Sequence, residues 1–287
     1  LTLERNERDW RVTGRKFVLQ NAEQAWPTGR FDAQVSLDED NVPVSFFLDV
    51  DFVSLDNLMP LAHAFIAGPM NAAGVHGTAG GRLKDVRVRG SLAEGKIDEL
   101  LVRGHFTGLS YSDPAAGIDV AGITGNIDGS LANGSLELQV RNGRFELANL
   151  FRGPIDAERL AAKVSWATTD AGLTVAANEL QLQTPYGSAT VALELFQSSL
   201  EGAGLMLDLS ASASASDVRG VIPNLPSKIP AVVLDWLQTA IISGEVFDVR
   251  FTVKGDVRRF PFKSPDDGIF KVIVPVRGGN LKFAPDW

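Results

Sequence analysis

Histidines are the first residues to test for chemistry, because imidazole serves both metals and proton transfer. His63, His76 and His105 are scattered, and none stands in a metal-ligand spacing such as His-Glu-x-x-His. Each reads as a surface or structural residue. The glycine-rich "GPMNAAGVHGTAGG" at 68–81 lacks the Gly-x-x-x-x-Gly-Lys-Ser/Thr order that cradles phosphate and does not open a helix, so it reads as a loop. Asp266 and Asp267 in "PDDG" could share acid–base work, but the flanking Pro and Gly mark a turn. "DVAGITGNIDGS" at 119–130 lacks the Asp-x-Asp-x-Asp-Gly spacing of a calcium loop. No catalytic residue, metal ligand or cofactor is expected, and the chain does not read as an enzyme.

Composition narrows the field further. The 287 residues carry a net charge of −8, which argues against nucleic acid, since phosphate binding needs a basic surface. An apolar fraction of 45% supplies ample material for a core. With no cysteine, disulfides and thiolate metal sites are excluded. No run of about 18 apolar residues spans a bilayer as a helix. The chain opens on the charged "LTLERNERDW", without an initiating Met, and closes on "LKFAPDW". It is expected to be an internal fragment of a longer protein, with any anchor or export signal outside it.

What remains is a pattern of alternation. In "VPVSFFLDVDF" Val44, Phe46, Leu48, Val50 and Phe52 are apolar, with Ser45, Asp49 and Asp51 between them. Leu136, Leu138 and Val140 alternate with Ser135, Glu137, Gln139 and Arg141, and Phe145 and Leu147 resume after Asn142-Gly143, a hairpin signal. Ala189, Val191, Leu193 and Leu195 form a similar run, as do Leu205, Leu207 and Leu209. So do Phe247, Val249, Phe251 and Val253, and Phe270, Val272, Val274 and Val276. Period two places each apolar set on one face of a sheet. An antiparallel sheet with one apolar and one polar face follows. Asn133-Gly134, Asp170-Ala171-Gly172, Tyr186-Gly187 and Gly278-Gly279-Asn280 read as turns between strands. "GSLAEG" at 90–95 and "GSLANG" at 129–134 suggest hairpins of the same chemistry.

Two short amphipathic helical segments interrupt the strands. In "SKIPAVVLDWLQTAIISG" Ile229, Val232, Val233, Trp236, Leu237, Ala240 and Ile241 keep helical spacing, predicting a helix over about 228–243 with Ser227 as cap and Gly244 at C′. "SLDNLMPLAHAFIAG" is interrupted by Pro60. After each comes a near-identical strand opening, "GRLKDVRV" at 81–88 and "GEVFDVRF" at 244–251. The strand–helix–strand unit therefore repeats over about 44–90 and 207–255. Asp85 and Asp248 are expected to pair with arginines on the polar face.

The residues alone fit an open groove and a closed β-sandwich or barrel equally well. A scaffold or adhesion module without lipid cargo is the corresponding second function. A β-helix enzyme is disfavoured by long, hairpin-linked strands.

The residues also resemble a known family. Leu225-Pro226, then Leu234-Asp235-Trp236-Leu237, Gly244-Glu245-Val246, the Gly255-Asp256 to Phe260-Pro261-Phe262 stretch and the closing Ala284-Pro285-Asp286-Trp287 look like the central region of the AsmA-like, YhdP-type proteins of Gram-negative envelopes. The match is most specific over about 215–287, and upstream it is one of strand pattern. The resemblance implies an elongated, curled antiparallel sheet forming a hydrophobic groove of the bridge-like lipid-transfer type, with 1–287 one continuous groove segment. It implies phospholipid transport between inner and outer membranes, supporting outer-membrane lipid homeostasis. It also implies a periplasmic location and an N-terminal inner-membrane helix not present here. The partners would be phospholipid acyl chains, the two membranes through parts outside the fragment, and other envelope proteins. The expected groove lining is Phe46, Leu48, Val50, Phe52, Leu136, Leu138, Val140, Phe145, Leu147, Val164, Trp166, Val191, Leu193, Leu205, Leu207, Val249, Phe251, Val272 and Val274. Val233, Trp236 and Leu237 of the helix are expected to face the groove.

Overall fold

The computed structural model describes residues 1–18, 27–56, 77–216 and 241–281, together with Gly220, Asn224, Leu225, Ser227, Asp235 and Thr239. The described chain is mainly β. Its first strands are β1 (Thr2–Arg5), β2 (Asp9–Phe17), β3 (Gly29–Leu37), β4 (Pro43–Ser54) and β5 (Thr78–Ala93). There follow β6 (Lys96–Asp113), β7 (Ile118–Ser130), β8 (Asn133–Leu147), β9 (Ile155–Thr169) and β10 (Gly172–Thr184). The last are β11 (Gly187–Ser198), β12 (Leu205–Ala215), β13 (Ile241–Asp256), β14 (Gly268–Ile273) and β15 (Val276–Leu281). A 3-10 turn covers Val257–Arg259.

Hydrogen-bonded neighbours follow chain order from β1 to β14 in one antiparallel sheet, and β15 pairs with β13. The order is open: β1 pairs with β2 and is not bonded to β14, so no barrel closes. Most links are short turns, which join neighbouring antiparallel strands. The chain divides into two units, residues 1–111 with 123–137, and residues 112–122 with 138–287.

Among the described residues neither unit shows the core of a two-layered domain. In the first unit Val50 and Phe106 are buried. In the second, Val140, Ile155, Ala157, Ala162, Ala177, Ala215 and Val253 are. Among the described residues no large side chain is fully buried. A second sheet packed about 10 Å away would cover inward side chains almost completely. Here only a few apolar positions are buried and most of the rest are half-buried or exposed, the burial that neighbours on the same face provide. A closed sandwich does not have this profile.

Several strands carry a residue with left-handed backbone in mid-strand: Lys16 in β2, Asp85 in β5, Gly122 in β7, Asn142 in β8 and Asp248 in β13. Around each, two consecutive exposed residues interrupt the alternation: Arg15-Lys16, Lys84-Asp85, Ala121-Gly122, Arg141-Asn142 and Phe247-Asp248. The inward phase then resumes one residue later. These are β-bulges, which insert an extra residue and increase local bend and twist. At Asp248 the count is explicit, because Ala213 to Ala215 on β12 faces Val249 to Val246 on β13.

The bulges correct several expectations. Asn142-Gly143 is no hairpin, since β8 runs through it; Asn142 supplies a φ of 52° to a bulge. Gly278-Gly279-Asn280 lies inside β15, with Gly278 at φ 60°. The repeat at 81–88 and 244–251 writes the same bulge twice, with Asp85 at φ 51° and Asp248 at φ 49°. Asp248 pairs with Arg250 as expected, whereas Asp85 meets His105 at 3.9 Å. The two "GSLA" segments turn at different places, at Glu94-Gly95 and at Leu131-Ala132. In the second, the Ser130 hydroxyl accepts from the Ala132 and Asn133 amides and so sets an earlier turn.

The helical expectations fall largely outside the described residues. Within 228–243, Asp235 and Thr239 are helical, and the Thr239 hydroxyl donates to the Asp235 carbonyl at 2.8 Å. The range given to the helix runs too far, because β13 begins at Ile241 and pairs with Leu281, Asn280 and Arg277 of β15. Gly244 is therefore a strand residue.

Candidate functional site

Register decides which apolar residues share a face. In the first unit Trp10, Val12 and Gly14 of β2 stand opposite Val35, Ala33 and Phe31 of β3. These in turn face Phe46, Leu48 and Val50 of β4, then Gly90, Val88 and Val86 of β5. An apolar stripe crosses four adjacent strands. Phe52, expected to line the same face, is paired with Lys84.

The second unit repeats the arrangement on a larger scale. Val164 and Trp166 of β9 face Ala177 and Val175 of β10. Leu193 and Leu195 of β11 lie on the other side of that pair, and Val191 faces Leu180 beyond a bulge. Leu209, Leu207 and Ala211 of β12 then face Leu193, Leu195 and Val191, while Leu205 sits opposite Gln197. Val253, Phe251 and Val249 of β13 continue the stripe opposite Leu209, Ala211 and Ala213, and Phe270 and Val272 of β14 complete it. Six strands thus contribute one apolar face.

The other expected positions lie on β8, after β14 or in the helical segment. Leu136 and Leu138 are half-buried in β8, Val140 is buried, and Phe145 and Leu147 follow the Asn142 bulge in the shifted phase. Val274 lies in the link between β14 and β15 and is exposed. Val233, Trp236 and Leu237 lie outside the described residues.

Glycines on this face are covered by rings from the neighbouring strand. A Cβ at Gly14 would stand 2.4 Å from the Phe31 ring, and one at Gly90 would stand 2.4 Å from the Phe46 ring. Gly255 and Gly268, a cross-strand pair, are both covered by Phe262, at 2.9 and 2.7 Å from a virtual Cβ. Phe262 stacks edge-on with Phe260, Phe260 with Phe270, and Phe270 with Phe251. The loop after β13 therefore folds an aromatic cluster onto the end of the apolar stripe. Sequence reasoning missed this cluster. Its signal was present in the Gly-Asp-x-x-x-Phe-Pro-Phe stretch, but the second glycine lies in another strand.

The opposite face carries cross-strand ion pairs. Asp32 and Asp49 are direct register partners, an unfavourable like-charge placement that Arg11 and Arg87 relieve from either side. The hydrogen bond from Arg11 holds the Asp32 carboxyl below the usual carboxylate range. Lys254 pairs with Asp208 at 2.6 Å, and Arg103 with Asp128 at 2.7 Å. Exposed pairs of this kind are screened by water and add little to stability, so they fix register and keep this face wet more than they stabilise it. Among the described residues no three metal-binding side chains converge.

An unclosed sheet with one apolar and one charged face is now joined by the result of sequence comparison. A model of the YhdP protein family matches residues 1–287. The chain belongs to the YhdP family. Over 167 residues it is 25% identical to the intermembrane phospholipid transporter YhdP of Escherichia coli K12, covering 58% of this chain and 13% of that protein. The aligned part is thus a small fraction of that relative's length. No solved structure matches the chain. For a YhdP-family chain, the apolar face is the feature that calls for a function. No helix among the described residues is long and apolar enough to cross a membrane.

Proposed function

We propose that this chain is a segment of a phospholipid transporter acting between the inner and outer membranes, with its apolar face carrying acyl chains along a groove. The single observation that supports this is the largely half-buried stripe running through successive strands of each unit, with no second layer over it among the described residues. The energetic reason is simple. Exposing an acyl chain to water costs about 0.8 kcal/mol per methylene, on the order of 13 kcal/mol for sixteen carbons. A continuous apolar face avoids that cost at every step, while the ion-paired face stays hydrated.

The transporter name of the E. coli relative and the chain's family support the same reading. The setting is the periplasm, with membrane contacts and any envelope partners made by other parts of the full-length protein and an N-terminal helix as its inner-membrane anchor. Transport along such a face has no chemical step, so the reading is non-enzymatic, and it supports outer-membrane lipid homeostasis. Native mass spectrometry of the purified chain, followed by solvent extraction, tests it. Bound phospholipid is expected, and its loss in Phe46→Asp, Leu138→Asp and Val191→Asp supports the face. A folded chain free of lipid under all conditions contradicts it.

A further inference from the structure

The link between β13 and β14 lays side chains onto the apolar face of the second unit. Leu207 of β12 faces Gly255 of β13, and Gly255 faces Gly268 of β14. Neither glycine supplies a side chain to that row, and Phe262 from the link fills the space instead. Phe260 stands beside it, its ring centroid 5.7 Å from that of Phe262 and 5.4 Å from that of Phe270. Phe270 in turn meets Phe251, the register partner of Ala211 on the stripe, at 5.6 Å. Each contact is edge-on. The rings therefore follow one another along the apolar face, from the Gly255–Gly268 pair to Phe251.

The rings are of two kinds. Phe262 and Phe251 are half-buried, the first against the glycine pair and the second between β12 and β14. Phe260 and Phe270 remain 42% and 51% exposed although each meets two other rings. The link that carries them is fastened. Arg258 is held by Asp256 at 2.8 Å and donates to the Gly202 carbonyl oxygen at 3.0 Å. Arg259 donates to Asp267 at 3.0 Å, and the Ser264 hydroxyl donates to the same carboxylate at 3.2 Å. The charged side chains of the link are thus used to anchor it, and its rings are left for the face. Half-open rings held in place present a large apolar area that loses little conformational entropy when covered. They offer no hydrogen-bonding group, so they suit a hydrocarbon chain and not a headgroup.

We propose that Phe260 and Phe270 form an acyl-chain holding site on the second unit, with Phe262 as its floor. The inference rests on the lipid-carrying reading and names the place on that unit where a chain is gripped most tightly. A chain lying over Val253 and Phe251 meets these rings and covers their open surface. Ile269 is the matched opposite. It adjoins Phe270 in β14, is 50% exposed, and faces Lys254 on the charged side.

The test is calorimetric titration of the chain with dihexanoyl phosphatidylglycerol, and with glycerophosphoglycerol as the same headgroup without chains. Phe260→Ala and Phe270→Ala are each expected to weaken lipid binding about fivefold, the worth of covering roughly half a phenylalanine side chain. Phe260→Leu recovers most of the loss, and Ile269→Ala leaves binding unchanged. Phe262, not Phe260, covers the glycine pair, so Phe260→Ala should lower the urea midpoint less than Phe262→Ala does. A second readout does not depend on truncation. Benzoylphenylalanine in place of Phe260, irradiated with the lipid bound, is expected to give lipid adducts, and in place of Ile269 to give none. Unchanged affinity in both alanine variants of the rings, an equal loss in Ile269→Ala, or equal labelling at 260 and 269 overturns the holding site. If Val191→Asp still abolishes binding in that case, the lipid-carrying reading stands without it. Glycerophosphoglycerol binding as tightly as the lipid also overturns the proposal. Failure of the unaltered chain to bind the lipid overturns both readings together.

Discussion

The ring of Phe46 lies over Gly90 on the neighbouring strand, so that a single added methyl group at Gly90 would sit 2.4 Å from Phe46 Cζ. The Glu99 carbonyl oxygen is 3.0 Å from the same point. Glycine here makes room for an aromatic ring laid along the apolar face of the sheet. Gly90→Ala is expected to destabilise the chain by about 1–3 kcal/mol, the usual cost of forcing an extra group into a packed site. Gly125→Ala should cost more, because its Cβ would meet the Glu137 carbonyl oxygen at 1.8 Å. Urea unfolding of both variants checks the order.

Asn142 tests the bulges. Its φ of 52° is tolerable for asparagine, natural for glycine and poor for a β-branched residue. Asn142→Gly is expected to leave stability within a few tenths of a kcal/mol of wild type, and Asn142→Val to cost about 1–2 kcal/mol. Were β8 to turn at this point instead, hydrogen exchange would find Val140 and Phe145 amides unprotected; continuous protection is expected.

How far these features were legible follows from where their causes lie. Strands such as β4 and β12 were readable because alternation of Phe46, Leu48 and Val50, or of Leu205, Leu207 and Leu209, is a local property. Asn142-Gly143 misled because a tight hairpin and a bulge need the same left-handed backbone. Whether the chain turns there depends on whether β7 and β9 continue alongside, which the local sequence does not contain. Asp85 and Asp248 were noticed as a repeat, yet their backbone role is invisible without the phase shift in burial around them. Phe262 over Gly255 and Gly268 joins three segments separated by up to thirteen residues, so no window pattern reports it. Phe46, Leu48, Val191 and Leu193 do fall on apolar stripes of their own units, as alternation requires.

The Phe262 cluster should be stabilising as well as space-filling. Phe262→Ala removes the cover from a glycine pair and the edge contact with Phe260. A loss of about 2–4 kcal/mol is expected, at or below the range for buried aromatic truncations because Phe262 is only half-buried. Phe262→Leu should recover part of it. Thermal unfolding of the two variants measures the difference.

Acid stability carries the sign of the Asp32 pair. The hydrogen bond from Arg11 lowers the Asp32 carboxyl, so its contribution is complete above the unfolded-state value of about 3.9 and fades as pH falls through the lowered folded value. Wild type should therefore exceed Arg11→Gln in urea midpoint at pH 7, and the gap should narrow below about pH 4. A gap that widens on acidification contradicts the pairing.

The central claim is that acyl chains travel on one face of the sheet and not the other. Val191 and Thr190 are adjacent in β11, the first facing Leu180 and Ala211 on the apolar side and the second facing Gln181 and Ser212 on the polar side. A photoreactive amino acid placed at each position, irradiated in the intact envelope and analysed for lipid adducts, reads the claim directly. Adducts with phospholipid are expected at 191 and not at 190. Equal labelling at both positions, or labelling at 190 alone, would contradict it.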